Sequence, residues 1–295
     1  MSDLPVPDPN AKLPVPQVLD IQHDTDPARD HGPARRIPHL GHAVLFFSLL
    51  WMMINLSALM LLAAGHYNTE NAPAEHPGVM AVAQALGFIL GLAASFQLFP
   101  RLWERSFLHG IQWNILAAHR RWFWVIPSGI ALSLLAQLAD HYIKTPDDNL
   151  IAQLMRTPHG AWLITGFGII LAPLTEEIAF RGFLLPALAT AYDWLALERS
   201  PAGLRKWEMT SGHTTPAIVF GAVFSSIPFA LIHAGQLSHA WGAVSVLFAV
   251  SLALSYARIK THSVACSVLM HATYNLTVFL GVFIATGGYR HLDKI

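Results

Sequence analysis

The chain has 295 residues, of which 54% are hydrophobic and only 12% charged, with a formal net charge of zero. Soluble domains carry about 25% charged residues, so this composition describes a membrane protein, and its balanced charge offers no footprint for nucleic acid. The single cysteine, Cys266, lies in an apolar run and excludes both an internal disulfide and a thiolate-rich metal site.

Residues 1–40 contain eight prolines, six aspartates and no apolar run. Such a segment cannot bury enough surface to offset the entropy of ordering, so it is expected to be a disordered Pro-rich tail. It also lacks the basic opening and short apolar core of a secretory signal. Residues 41–290 are the expected transmembrane domain. About 20 apolar residues cross a bilayer as a helix, and seven stretches are candidates: 42–64, 79–99, 122–139, 161–189, 216–235, 240–257 and 263–287. The fourth is long enough to tilt, bend or continue along the surface. The expected fold is all-α, a polytopic transmembrane helical bundle of about seven spans with an intramembrane polar cavity.

Lys and Arg fall on alternate connections. Lys12, Arg29, Arg35 and Arg36 precede the first span and none follows it; Arg101, Arg105, Arg120 and Arg121 follow the second; Arg199, Arg205 and Lys206 follow the fourth. Cytoplasmic loops carry such an excess, which puts the N-terminus in the cytoplasm and the C-terminus outside, in an integral protein of a bacterial inner membrane. Trp103, Trp122, Trp162 and Trp241 fall near span ends and read as interfacial aromatics.

Ionisable groups inside spans are rare and point to function. Three clusters qualify. In the fourth span, "LTEEIAFRGFL" carries Glu176, Glu177 and Arg181. Glu177 and Arg181 are spaced i, i+4 and share a helix face, whereas Glu176 is turned about 100° away. Glu177 is therefore expected to pair with Arg181, leaving Glu176 free for general acid–base work. In the fifth span, Phe229 and His233 repeat that spacing; in the seventh, His271 and Asn275 do so again. Glu176, His233, His271 and Asn275 on three helices would form a pocket able to bind and activate water, with the amide available to an oxyanion. Asn55, Gln84 and Gln97 read instead as packing residues, and the histidines in loops and at span edges as non-catalytic. One tension arises: the orientation sets Glu176 and His271 toward the cytoplasmic half of their spans but His233 near the far end of its own. Either Pro228 displaces that span or its edges lie elsewhere.

In order along the chain, E-E-x-x-x-R (Glu176 to Arg181, then Gly182), F-x-x-x-H (Phe229 to His233) and H-x-x-x-N (His271 to Asn275) resemble the CPBP family. These are the CAAX prenyl endopeptidases and bacteriocin-processing proteins, also called the Abi family of intramembrane proteases. The resemblance covers about residues 160–280, which would be the catalytic core. It implies intramembrane endopeptidase activity, with Glu176 activating water, His233 and His271 holding that water or a metal, and Asn275 stabilising the oxyanion. Glu177, Arg181 and Phe229 would support them. It implies a peptide or lipidated-peptide substrate, in contact with the bilayer. Zinc on His233, His271 and Glu176 and a metal-free, glutamate-activated water both stay open. Two other functions stay open beside the protease: a non-catalytic immunity or scaffolding protein of the same family, and an ion-coupled transporter, disfavoured because no inverted repeat is visible.

Overall fold

A computed structural model describes residues 36–67, 75–143 and 150–292; nearly all of the expected tail lies outside the described residues. Among the described residues the fold is wholly helical, without strands. Six helices are long and apolar enough to cross a membrane: α1 (Leu40–Ala64), α2 (Pro77–Trp103), α3 (Ile115–Ile143), α4 (Pro158–Leu195), α7 (Trp241–Thr261) and α8 (Val264–Ala285). Between α4 and α7 lie a short amphipathic helix, α5 (Pro201–Met209), and the apolar helix α6 (Thr215–Leu231). The protein is thus a polytopic helical membrane protein, with six candidate spans and one shorter apolar helix among the described residues.

Helix α4 organises the bundle. Its 38 residues extend about 57 Å at 1.5 Å per residue, well beyond a hydrocarbon core of about 30 Å. It is not a uniform α-helix. Two π-helical turns, Phe167–Leu171 and Ile178–Leu184, flank the α-helical segment Ala172–Glu177 that bears both glutamates. Such widened turns concentrate at functional sites.

Helices α1, α2, α6, α7 and α8 all meet α4, α2 through Phe88 on Phe167 and Phe99 on Phe183. From α1, Phe46 stacks on Phe183 with ring centroids 4.3 Å apart, and Phe47 meets Phe180 edge-on at 5.5 Å. Helix α6 runs antiparallel along the C-terminal half of α4. Thr214 bonds to Asp193, Gly221 abuts the Leu185 carbonyl where a side chain would clash, and Phe229 meets Phe180 at 5.2 Å. This pairing resolves the position of His233. Because α6 lies against the far part of an over-long helix, its C-terminal end, and not its middle, arrives beside Glu176. Helices α7 and α8 close the other side. Helix α2 packs on α1 through Gly87, whose missing side chain lets the α1 backbone at Ile54 approach closely, the small-residue packing that replaces hydrophobic drive in lipid.

One aromatic expectation fails. Trp103 is 1% exposed, enclosed by Phe99, Phe107 and Phe183, and so belongs to the core and not to an interfacial belt. Its position at the end of α2 suggested the interface, but α1 and the short turn Phe107–Gly110 cover it. Trp122, Trp162 and Trp241 are exposed.

Candidate active site

The α-helical segment between the π turns places Glu176 and Glu177 on adjacent faces of α4, and they meet different partners. Glu177 is fully buried. Its Oε1 accepts from Arg181 Nη1 and from His271 Nδ1, both at 2.9 Å. Arg181, also fully buried, donates Nη2 to the Ser251 carbonyl and hydroxyl of α7, each at 2.7 Å, and lies 4.7 Å above the Phe229 ring. The charge pair and its bonds bring α4, α7 and α8 together, with the Phe229 ring of α6 against the guanidinium, although Arg181 Nε and Glu177 Oε2 are buried without a hydrogen-bond partner among the described residues.

Glu176 stands apart from that pair, facing the two imidazoles. Its Oε1 is 3.9 Å from His233 Nε2, and its Oε2 is 3.9 Å from His271 Nε2. The tautomers follow from the other ring nitrogens. His233 Nδ1 lies 2.7 Å from the Phe229 carbonyl, an acceptor only, so Nδ1 carries the proton. His271 Nδ1 donates to the Glu177 carboxylate. Both Nε2 atoms therefore present lone pairs toward Glu176. Two lone pairs and a carboxylate converge with no donor among them, and a water molecule, carrying two O–H groups, complements that set.

The same three groups have the chemistry of a zinc donor set. Their spacing does not fit one: ligands on a zinc tetrahedron with bonds near 2.0–2.1 Å stand about 3.3 Å apart, against 3.9 Å from Glu176 to each histidine here. Among the described residues, no group of three His, Cys, Asp or Glu is placed to hold a metal ion. No step is therefore routed through a metal.

Phe229 forms one wall, its ring 5.1 Å from His233 and 5.9 Å from His271. Asn275 is on the same helix as His271, but its Nδ2 donates to the Gly168 carbonyl in the first π turn, at 2.6 Å. Sequence reasoning missed Ser251. A serine in an apolar helix carries no periodic signal, and only the small-xxx-small pair it forms with Ser255 hinted at a close helix contact. It also missed Asp193, near the end of α4. That carboxylate accepts from the Thr214 hydroxyl at 2.6 Å, lies 3.0 Å from His213 Nδ1 and sits 3.9 Å from Arg36. Arg36 had been read only as a topology signal.

Fold and site together define a class: a polytopic helical membrane protein with a carboxylate and two oriented imidazoles inside the bundle. Within that class, residues 158–277 match the family described as Type II CAAX prenyl endopeptidase Rce1-like. That segment carries both glutamates, Arg181, both site histidines and Asn275, and the family it matches agrees with the CPBP group that the motifs resemble. Among curated proteins and solved structures, nothing matches the chain.

Proposed function

We propose that the protein is an intramembrane endopeptidase that hydrolyses a peptide bond with water activated by Glu176. The carrying observation is the convergence of Glu176 with two Nε2 lone pairs at 3.9 Å each. Water held there gives one proton to Glu176 while its oxygen attacks the scissile carbonyl carbon. Glu176 then returns that proton to the departing amine nitrogen, which leaves as the C–N bond breaks. Glu177 orients His271 by accepting from its Nδ1, as the carboxylate orients the imidazole in a hydrolase triad. His271 Nε2 accepts a hydrogen bond from the water's second O–H, which stays on the attacking oxygen. Arg181 balances Glu177. Asn275, with the Nδ2 hydrogen not given to Gly168, is the donor proposed for the oxyanion.

The substrate class that this reading favours is a membrane-associated peptide or lipidated peptide, in keeping with the prenyl endopeptidases that the family description names. The remaining assignments are part of the same proposal. Residues 41–290 form the transmembrane domain and about 160–280 its catalytic core. The N-terminus faces the cytoplasm, and the protein resides in a bacterial inner membrane. The test compares the termini of membrane proteins in cells carrying the wild-type protein or Glu176→Gln at equal abundance. New termini that depend on Glu176 support the proposal. Termini that persist unchanged in Glu176→Gln refute the mechanism, and a wild type producing none would favour the non-catalytic alternative.

A further inference from the structure

The first π turn of α4 has a defect at one carbonyl. Across that turn the Ala172 N–H reaches the Phe167 carbonyl, five residues back. The next donor in this register would be residue 173, which would serve Gly168, but it is Pro173 and has no N–H. An unpaired carbonyl in a membrane interior is costly, because no bulk water can satisfy it. Asn275 Nδ2 meets that carbonyl at 2.6 Å from the neighbouring helix. One turn along α8, the Phe279 ring comes within 2.7 Å of where a Gly168 Cβ would be, a contact only glycine permits. Pro173 also works against the ordinary α-helical register, since its ring would collide with the carbonyl four residues back.

The π turn has a consequence for the site. It inserts extra winding upstream of the Ala172–Glu177 segment, and one residue of winding turns everything beyond it by about 100°. The turn therefore sets which way Glu176 faces.

We infer that Pro173, Gly168 and Asn275 are a matched set: Pro173 holds the π register, Asn275 supplies the donor that Pro173 removes, and together they aim Glu176 at His233 and His271. Asn275 is thereby a positioning residue, whatever its second amide hydrogen contributes. The activity readout for this inference rests on the proposed hydrolysis; its stability readout does not.

The test is a cycle of four purified proteins: wild type, Asn275→Ala, Pro173→Ala and the double variant, each measured for thermal unfolding and for cleavage. In the wild-type background, Asn275→Ala lowers the unfolding midpoint and reduces turnover about ten-fold or more with KM little changed, as expected when a buried acceptor loses its donor. In the Pro173→Ala background, residue 173 regains an N–H for the Gly168 carbonyl. The same change then lowers the midpoint far less and costs less in turnover, the loss that remains being that of the oxyanion donor. Equal losses in both backgrounds overturn the inference. If Asn275→Ala cannot be recovered folded, recovery of the double variant supports the inference and its failure overturns it. If the wild type cleaves nothing, the hydrolytic reading fails, and the midpoints alone still decide this one.

Discussion

Helix α4 carries two carboxylate hubs built from nearly the same parts. In its middle, Glu177 gathers Arg181 and His271, with Ser251 accepting from the arginine's Nη2. Near its end, Asp193 gathers Arg36, His213 and Thr214. The first hub is sealed, with Glu177 and Arg181 both at 0% exposure, whereas His213 in the second is 21% exposed. The larger difference is what each histidine does next. His271 turns its second nitrogen toward Glu176, 3.9 Å away. The Asp193 hub instead joins the start of α6 and the segment before α1 to the end of α4. Like parts therefore sit in two settings: of the two hubs, the Glu177–His271 pair is the one whose free nitrogen faces a second, differently placed carboxylate.

Breaking the hubs one group at a time should separate these roles. Arg181→Leu leaves Glu177 as an uncompensated buried charge, and the largest stability loss is expected here, about 3–5 kcal/mol in unfolding measured in detergent. Glu177→Gln removes that charge while keeping a similar shape. It should lower turnover about 10–100-fold through misorientation of His271, and, because it leaves Arg181 a buried cation with only the Ser251 acceptors, its stability loss should approach that of Arg181→Leu. Ser251→Ala removes one of the two Arg181 Nη2 acceptors and keeps the carbonyl, so about 1 kcal/mol is expected. Asp193→Asn weakens the cap on α6 and should cost about 1 kcal/mol or less with turnover unchanged. If Asp193→Asn reduced turnover as far as Glu177→Gln does, the contrast between the hubs would be lost.

How much of this was legible in the sequence depends on range. The Glu177–Arg181 pair was legible because an i, i+4 spacing on one helix fixes proximity without knowledge of the fold. The freedom of Glu176 followed from the same geometry. That His233 and His271 would meet Glu176 rested on polar groups in separate spans having few other places to go. The depth of His233 was not legible, because it depends on α4 outreaching the membrane and carrying α6 alongside its far half. The π turns were hidden as well: Gly168 and Pro173 look unremarkable in an apolar run, and the register they impose appears only once Asn275 is seen at the Gly168 carbonyl. Asp193 and Arg36 are far apart in the chain, with no local pattern to link them.

The central claim is that Glu176 performs the chemistry while its neighbours hold the frame. The most direct measurement takes purified wild-type and Glu176→Gln proteins, compares their unfolding midpoints, and incubates each with a peptide spanning a terminus generated in wild-type cells. The account predicts equal midpoints and cleavage by the wild type alone. Cleavage by Glu176→Gln at a rate comparable to wild type would contradict it.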